Sequence, residues 1–193
     1  MNNILTANLP REIAINGVSY PVDFHYRACL LAILAFEDET LTAYEKQVIL
    51  LSNLYLEMPD DDRAAFDQAV LFLNGGEVGE AVTGPRVYSF SKDAKLIYAA
   101  FRQTHGIDLQ TANLHWWQFL ALFSDLGSET TFIALVALRK RILDGTASKE
   151  DKKIAEEMGD AFIILQPDTR TQDERAREDE FMRLVAIGAK HHG

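Results

Sequence analysis

The segment from Tyr88 to Leu126 constrains the fold most, because it predicts two consecutive helices separated by a glycine. Ser91 is of a type that caps helices, since its hydroxyl accepts amide protons left unpaired in the first turn. Asp93 would suit the positive end of that helix dipole. One face of this helix is predicted from residues that recur at steps of three and four: Ala94, Ile97, Phe101 and Thr104. Gly106 is expected to end the helix in a left-handed conformation.

The helix after Gly106 is apolar on nearly all sides, so it is either central to the domain or shared with a partner. We place Leu114, Trp117, Leu120, Ala121 and Leu126 on its main face, and Trp116, Phe119 and Phe123 on flanking faces. Adjacent helical residues point about 100° apart. One tryptophan can therefore fill the core while the other contacts a partner, and the alternative is that both lie in the core. The candidate partner-binding residues of this helix are Trp116, Trp117, Phe119 and Phe123.

The N-terminal residues predict a β-hairpin. Strands Glu12 to Ile15 and Val18 to Val22 flank Asn16-Gly17, a pair that tolerates the positive φ angles of a type I′ turn. Ile13 and Ile15 would share one face of the first strand, and Val18, Tyr20 and Val22 would share one face of the second. Two strands alone are marginal in water, so the hairpin must pack on helices, near Phe24 and Tyr26, or join strands of another subunit.

The rest of the chain predicts helices, six to eight in all, and hence a mainly α fold. Residues 26–39 form a first helix, and Thr42-x-x-Glu45 resembles a capping box for a second, with Tyr44, Val48, Leu51 and Tyr55 on one side. A third starts after Asp60-Asp61-Asp62, buries Ala65, Ala69, Phe72 and Leu73, and stops at Asn74-Gly75-Gly76. Another covers 129–143. We predict a single helical domain over residues 1–145, including the hairpin.

Residues 146–193 are predicted to form a C-terminal helical extension. Ser148-x-x-Asp151 would open a charged helix, and Thr171-x-x-Glu174 a last one. The apolar stripe of that last helix, Phe181, Leu184 and Val185, needs a surface to bury against. We expect it to dock on another chain, and the alternative is packing on the protein's own body.

The composition limits the classes of partner. A formal net charge of −10 disfavours nucleic-acid binding, which depends on clustered Lys and Arg. The nearest basic cluster, Arg139-Lys140-Arg141, is interpreted as a solvated helix face. No apolar run is long enough to span a bilayer, and the first residues lack a signal-peptide pattern. Cys29 is expected to be a buried small hydrophobe. We therefore expect a soluble, cytosolic protein with an apolar or basic partner.

No motif predicts catalysis, a cofactor or a metal site. The Gly-rich segment 74–79 lacks the lysine of a phosphate loop, and no nucleophile elbow or zinc-protease spacing occurs. Glu37 and its acidic neighbours are interpreted as helix-end charges. His115 is interpreted as a satisfied core or interface histidine. We expect a protein that is not an enzyme.

The order and spacing of aromatic residues in the central segment resemble a phage family. The similar stretches include Tyr88-Ser89-Phe90, Ile97-Tyr98-Ala99-Ala100-Phe101, Gly106-Ile107-Asp108-Leu109 and Leu114-His115-Trp116-Trp117. They resemble a family of small tail proteins of long-tailed bacteriophages, the siphoviruses. These proteins are encoded beside the tape measure gene and are generally interpreted as tail assembly chaperones. Residues 5–22 and 71–74 are similar too, and the resemblance spans about Met1 to Arg141.

The resemblance implies a chaperone that binds the tape measure protein as a helical client and keeps it soluble while the tail tube assembles. It implies action in the host cytoplasm and absence from the finished virion. The tail tube protein and further copies of the chain are additional expected partners. One alternative is a structural tail or tail-completion component of the virion. Another is a small non-enzymatic protein that binds a host factor.

Overall fold

The computed structural model describes residues 4–77 and 85–164. These residues form a two-stranded hairpin, seven α-helices and a final 3-10 turn, so the predicted mainly α fold with an N-terminal hairpin is confirmed. The elements are β1 Glu12–Ile15, β2 Val18–Pro21, α1 Tyr26–Glu37, α2 Ala43–Leu54, α3 Asp62–Leu73, α4 Ala94–His105, α5 Trp116–Ser124, α6 Thr131–Leu143, α7 Lys149–Met158 and the 3-10 turn Gly159–Ala161. The predicted helix from Thr171 lies outside the described residues.

The hairpin has the predicted turn and packs on α3 through β1. Asn16 and Gly17 have φ angles of 50° and 84°, as a type I′ turn requires. Ile13 and Ile15 are buried. Val18, next to the turn, is 53% exposed, whereas Val22 is buried. The face predicted for the second strand is therefore buried only at the end away from the turn.

The residues that follow α2 extend the hairpin on the side of β2. Val22 forms an antiparallel bridge with Tyr55, and the Leu56 amide donates to the Pro21 carbonyl at 3.0 Å. The Pro21 end of the outer side of β2 is therefore covered by the protein's own backbone.

Local sequence signals set most of the helix ends. Thr42 and Ser148 form the predicted capping boxes, and Asp61 caps α3 by accepting from the Ala64 amide. Gly106 ends α4 with a φ of 67°, in the left-handed region. Each of these ends needs only side chains within a few residues, which explains why the sequence predicts them.

The predicted face of α2 is buried only toward the C-terminal end of the helix. Leu51 and Tyr55 of that face are buried, as are Leu50 and Leu54, whereas Tyr44 is 75% exposed and Val48 is 43% exposed. The helix carries two adjacent apolar lines, and periodicity alone does not show how far along the helix each line is buried. Helix α2 packs against α1 and α3, and both lines are buried from Leu50 onward.

The start of α4 also differs, because Ser91 does not cap the helix. The helix begins at Ala94 after a turn in which the Ser89 amide donates to the Asp93 carboxylate at 3.0 Å. The predicted face is buried at Ile97 and Phe101, but Ala94 is exposed.

The apolar core is a continuous cluster to which the hairpin and helices α1–α5 contribute, together with Phe132 of α6. Helix α7 contributes no buried residue to it. This helix contacts α6, and Arg141 of α6 forms an ion pair with Asp151 of α7, with 2.6 Å between Nη2 and Oδ1.

Candidate functional site

Trp116 and Trp117 begin α5, and their indole N–H groups cap the C-terminal end of α3. Trp116 Nε1 donates to the Leu73 carbonyl at 2.9 Å, and Trp117 Nε1 donates to the Phe72 carbonyl at 2.9 Å. The last carbonyls of a helix have no partner within the helix. The two indoles therefore satisfy two of them and join α5 to α3. Trp116 is 1% exposed, whereas Trp117 is only partly buried.

Gly76 allows the chain to pass directly over the Trp117 ring. A Cβ atom at this position would lie 2.7 Å from Trp117 Cη2, and its φ of +79° also favours glycine. Beside this contact a shallow cleft of about 210 Å³ runs between β1 and α3. Its apolar lining includes Ile13, Leu71 and Trp117. The exposed part of Trp117 thus faces a cleft.

His115 caps α5 as a neutral side chain. Its Nδ1 accepts from the Trp117 amide at 3.0 Å, and its Nε2 lies 2.8 Å from the Pro10 carbonyl. A carbonyl can only accept, so the proton is on Nε2. Burial, assisted by the positive charge of Arg11, lowers the pKa of His115 below its usual value of 6.5, although the bond to Pro10 opposes that shift. The ring is therefore a satisfied capping group.

Helices α1 and α5 start side by side. The Tyr26 amide donates to the Leu114 carbonyl at 3.1 Å, and the Trp116 amide donates to the Phe24 carbonyl at 2.8 Å. His25 and His115 face each other in this bridge, and each caps its own helix through Nδ1. The bridge holds the tryptophan-bearing end of α5 in place.

The core side of α5 carries the residues that the sequence analysis placed on its flanks. Phe119 is fully buried and stacks on Trp116 at 5.4 Å between ring centroids. Phe123 is partly buried and lies beside other aromatic rings: Tyr88, Phe90, Phe119 and Phe132. Trp117 and Leu120 are partly buried, and Ala121 is exposed. Because the helix is apolar all round, its periodicity does not determine its orientation.

Arg139 is buried, which contradicts its interpretation as part of a solvated basic face. Its guanidinium makes a bidentate ion pair with Asp93, with N–O distances of 2.6 and 3.0 Å. It also donates to the carbonyls of Val87, Ala161 and Phe162. All N–H groups of the guanidinium are therefore satisfied. They connect α6 to three other parts of the chain, at Val87, at Asp93 and at residues 161–162. The sequence signal that could have revealed this role is its position one turn after Leu135 on the buried side of α6.

Glu37 has a structural role that the sequence analysis missed. Its carboxylate accepts from the Ser89 hydroxyl at 2.7 Å and from the Phe90 and Ser91 amides at 2.9 and 3.0 Å. It therefore anchors the turn before α4 to the end of α1. The three partners lie more than fifty residues away, so no local pattern shows them.

Within residues 4–77 and 85–164, no cluster of His, Cys, Asp and Glu could hold a metal ion. Over the same residues, no helix is both long enough and apolar enough to cross a bilayer. Cys29 is buried, and burial raises the pKa of its thiol to about 12.

The profile of the family described as Bacteriophage Gp15 protein matches residues 5–163. The chain belongs to the Gp15 family. No curated protein and no solved structure matches it. The Gp15 match includes Ala161 and Phe162, whose carbonyls bind Arg139, so the whole Arg139 cluster lies within the family region.

The candidate partner-binding residues of the Gp15 chain fall into three groups. Trp116 and Phe119 are buried and present no surface in this structure. Trp117 and Phe123 are partly exposed. Phe181, Leu184 and Val185 lie outside the described residues.

Proposed function

We propose that this Gp15 chain is a tail assembly chaperone that binds the tape measure protein of a long-tailed phage and keeps it soluble while the tail tube assembles. The observation that carries the proposal is the match to a bacteriophage family over residues 5–163, which supports a structural or assembly role. The spacing of aromatic residues, which resembles that of tail assembly chaperones, supports the finer assignment. The chain would act through protein–protein contacts rather than catalysis.

Helix α2 offers a surface of the kind that an apolar client helix needs. Tyr44 and Val48 lie one turn apart, so they share a side of the helix, and both are exposed. A client helix with apolar residues at the same spacing could pack along them. The net charge of −10 would keep such a complex soluble. Trp117 is a second candidate contact, because part of its ring remains exposed.

Co-expression with the tape measure protein tests the proposal. We expect the wild-type chain to move the client into the soluble fraction and to co-purify with it. The double variant Tyr44→Glu/Val48→Glu should lose most of this activity, because it puts charges on the apolar surface. Leu143→Glu is a matched control, since Leu143 is 46% exposed on α6. Circular dichroism checks that both variants remain folded.

The outcomes test the chaperone function separately from the assignment of α2 as the binding surface. A client that is equally insoluble with and without the wild-type chain would reject the chaperone proposal. If the wild type and the double variant make the client equally soluble, the chaperone proposal stands, but α2 is not the binding surface. The same comparison with the tail tube protein as client tests that second partner.

The structural alternative predicts a different location for the chain. We propose that it acts in the host cytoplasm and is absent from the finished virion. Quantitative mass spectrometry of purified particles tests this, with the tail tube protein as internal reference. A fixed number of copies per tail would instead identify a structural or completion component. Capture of a host protein by the chain expressed alone would support the third alternative.

The predicted role of the C-terminal residues is tested by deletion. We propose that Phe181, Leu184 and Val185 dock on another chain, either a second copy or the client. Removal of residues 168–193 should then lower the mass measured by light scattering or weaken client binding. If neither changes, the segment is dispensable for assembly.

A further inference from the structure

The outer edge of β1 presents backbone groups that the hairpin does not use. In an antiparallel pair, residues alternate between hydrogen-bonded and non-bonded positions. The amide of Val22 donates to the carbonyl of Arg11 at 3.0 Å, so Arg11 and Val22 form a bonded pair. The pairs Ile13–Tyr20 and Ile15–Val18 are then bonded as well. Glu12 and Ala14 occupy the non-bonded positions, so their N–H and C=O groups point away from β2.

A second observation supports this assignment. Pro21 is opposite Glu12 and has no N–H to donate, as a non-bonded position permits. Its carbonyl points away from β1 and accepts from the Leu56 amide. Within residues 4–77 and 85–164, no backbone bond is formed by the outward groups of Glu12 and Ala14. The edge of β1 is therefore open at Glu12 and Ala14, whereas the edge of β2 is covered at Pro21 by the residues that follow α2.

The open edge forms one wall of the cleft between β1 and α3. Pro10 and residues 12–14 line it on one side, and Leu71 and Phe72 on the other. Trp117 and Gly76 line the same cleft at the C-terminal end of α3, whereas Asn16 contacts Asp61 at the N-terminal end of that helix. The strand and the helix are thus antiparallel walls of a groove. A third extended strand can bond to one wall and place alternate side chains against the other.

The charges around the groove favour a basic occupant. Glu12 is the one charged residue among the described residues that line it. Asp67 lies one helical turn before Leu71, and Glu77 follows Gly76. Arg11, the neighbouring cation, stacks over the Phe24 ring at 4.9 Å instead of lining the groove. The net charge of −10 also disfavours a second copy of this chain as the occupant of this groove.

We propose that the groove between β1 and α3 binds a basic, extended segment of another protein, which adds as a strand to the outer edge of β1. Its backbone would bond to Glu12 and Ala14. Its inward side chains would contact Leu71 and Trp117, and its Lys or Arg residues would lie near Glu12. This surface is separate from Tyr44 and Val48 on α2, so its existence does not depend on the tape measure proposal.

Peptide binding to the full chain tests the inference. The probe is a short fluorescein-labelled peptide of alternating Lys and Val residues, and binding is followed by fluorescence anisotropy. The controls are a Glu/Val peptide of the same length and a helical Ala/Lys peptide of the same charge. We expect the Lys/Val peptide to bind at least about tenfold more tightly than either control.

The site is located by amide hydrogen exchange in the wild-type protein. Binding should slow exchange at Glu12 and Ala14, whose amides are open, and should leave Ile13 and Ile15 nearly unchanged, because their amides already bond within the hairpin. No substitution is needed for this measurement. Protection elsewhere in the chain, without protection at Glu12 and Ala14, would overturn the proposal.

Ala14→Pro and Ala14→Thr form the matched pair of variants. Proline removes the outward N–H at a position where β1 does not bond to β2, and an edge strand tolerates it there. Threonine keeps that N–H. We expect Ala14→Pro to weaken peptide binding by at least about tenfold and Ala14→Thr to leave it unchanged.

Three results of the binding assay would also contradict the proposal. They are undetectable binding of the Lys/Val peptide, equal binding by the proline variant, and equal binding of the helical control. A concentration-dependent dimer of the free chain that Ala14→Pro abolishes would show instead that a second copy occupies the edge.

Discussion

Replacing Asp93 with Asn should destabilise the protein strongly, because it removes the counter-charge of a buried guanidinium. The side chains of Arg139 and Asp93 are each 3% exposed, so water cannot replace the lost interaction. Asparagine has nearly the same shape, but it is neutral, and it turns one of the two acceptors into a donor. That donor would face a guanidinium that can only donate.

The structure sets the expected magnitude. Arg139 makes five hydrogen bonds, and two of them end on Asp93. The three carbonyl bonds remain in the variant, but the positive charge stays buried. Removing one partner of such a pair costs about 3–5 kcal/mol. For a domain of this size, that loss corresponds to a fall in Tm of roughly 6–20 °C.

Urea unfolding followed by circular dichroism measures the change. Arg102→Met is the control, because the pair Arg102–Asp108 is exposed and should contribute little. A double-mutant cycle with Arg139→Met separates the pair from its surroundings, and the double variant should lose clearly less than the sum of the two single losses. A loss below about 1 kcal/mol for Asp93→Asn, or strict additivity in the cycle, would refute the reasoning.

Three further predictions concern single sites. Gly76→Ala should lower the unfolding free energy by more than about 1 kcal/mol, and by more than Gly75→Ala does. Both glycines have a positive φ, but only the new Cβ at position 76 would lie within 3 Å of an indole ring. Ile15→Asp should cost a few kcal/mol in the same assay, since Ile15 is 4% exposed, whereas Val18→Asp should change little; an unchanged midpoint for the first would place Ile15 at the surface. Because the pKa of His115 is lowered in the folded chain, the unfolded chain takes up the proton first as the pH falls below about 6.5, and stability should decrease until the folded pKa is reached. His115→Asn keeps a capping side chain and should flatten the part of this pH dependence that His115 causes; an identical pH profile for both proteins would contradict it.

Signals that act over a few residues determined much of the fold. Asn16-Gly17 predicts its hairpin turn, and the capping residues Thr42 and Ser148 predict the helix starts that the structure shows. Gly106 likewise ends α4 as expected. These features depend on φ preferences and on hydrogen bonds between near neighbours, so the sequence alone contains the physical information.

Orientation and long-range pairing were decided only by the tertiary structure. Helix α5 is apolar all round, so its own pattern could not show that Trp116 and Phe119, rather than Trp117, lie deepest in the core. Arg139 resembled a solvated cation because its counter-ion, Asp93, lies 46 residues earlier in the chain. Residue type and spacing determine where helices begin and end, whereas burial of a given side chain depends on which distant segment packs against it.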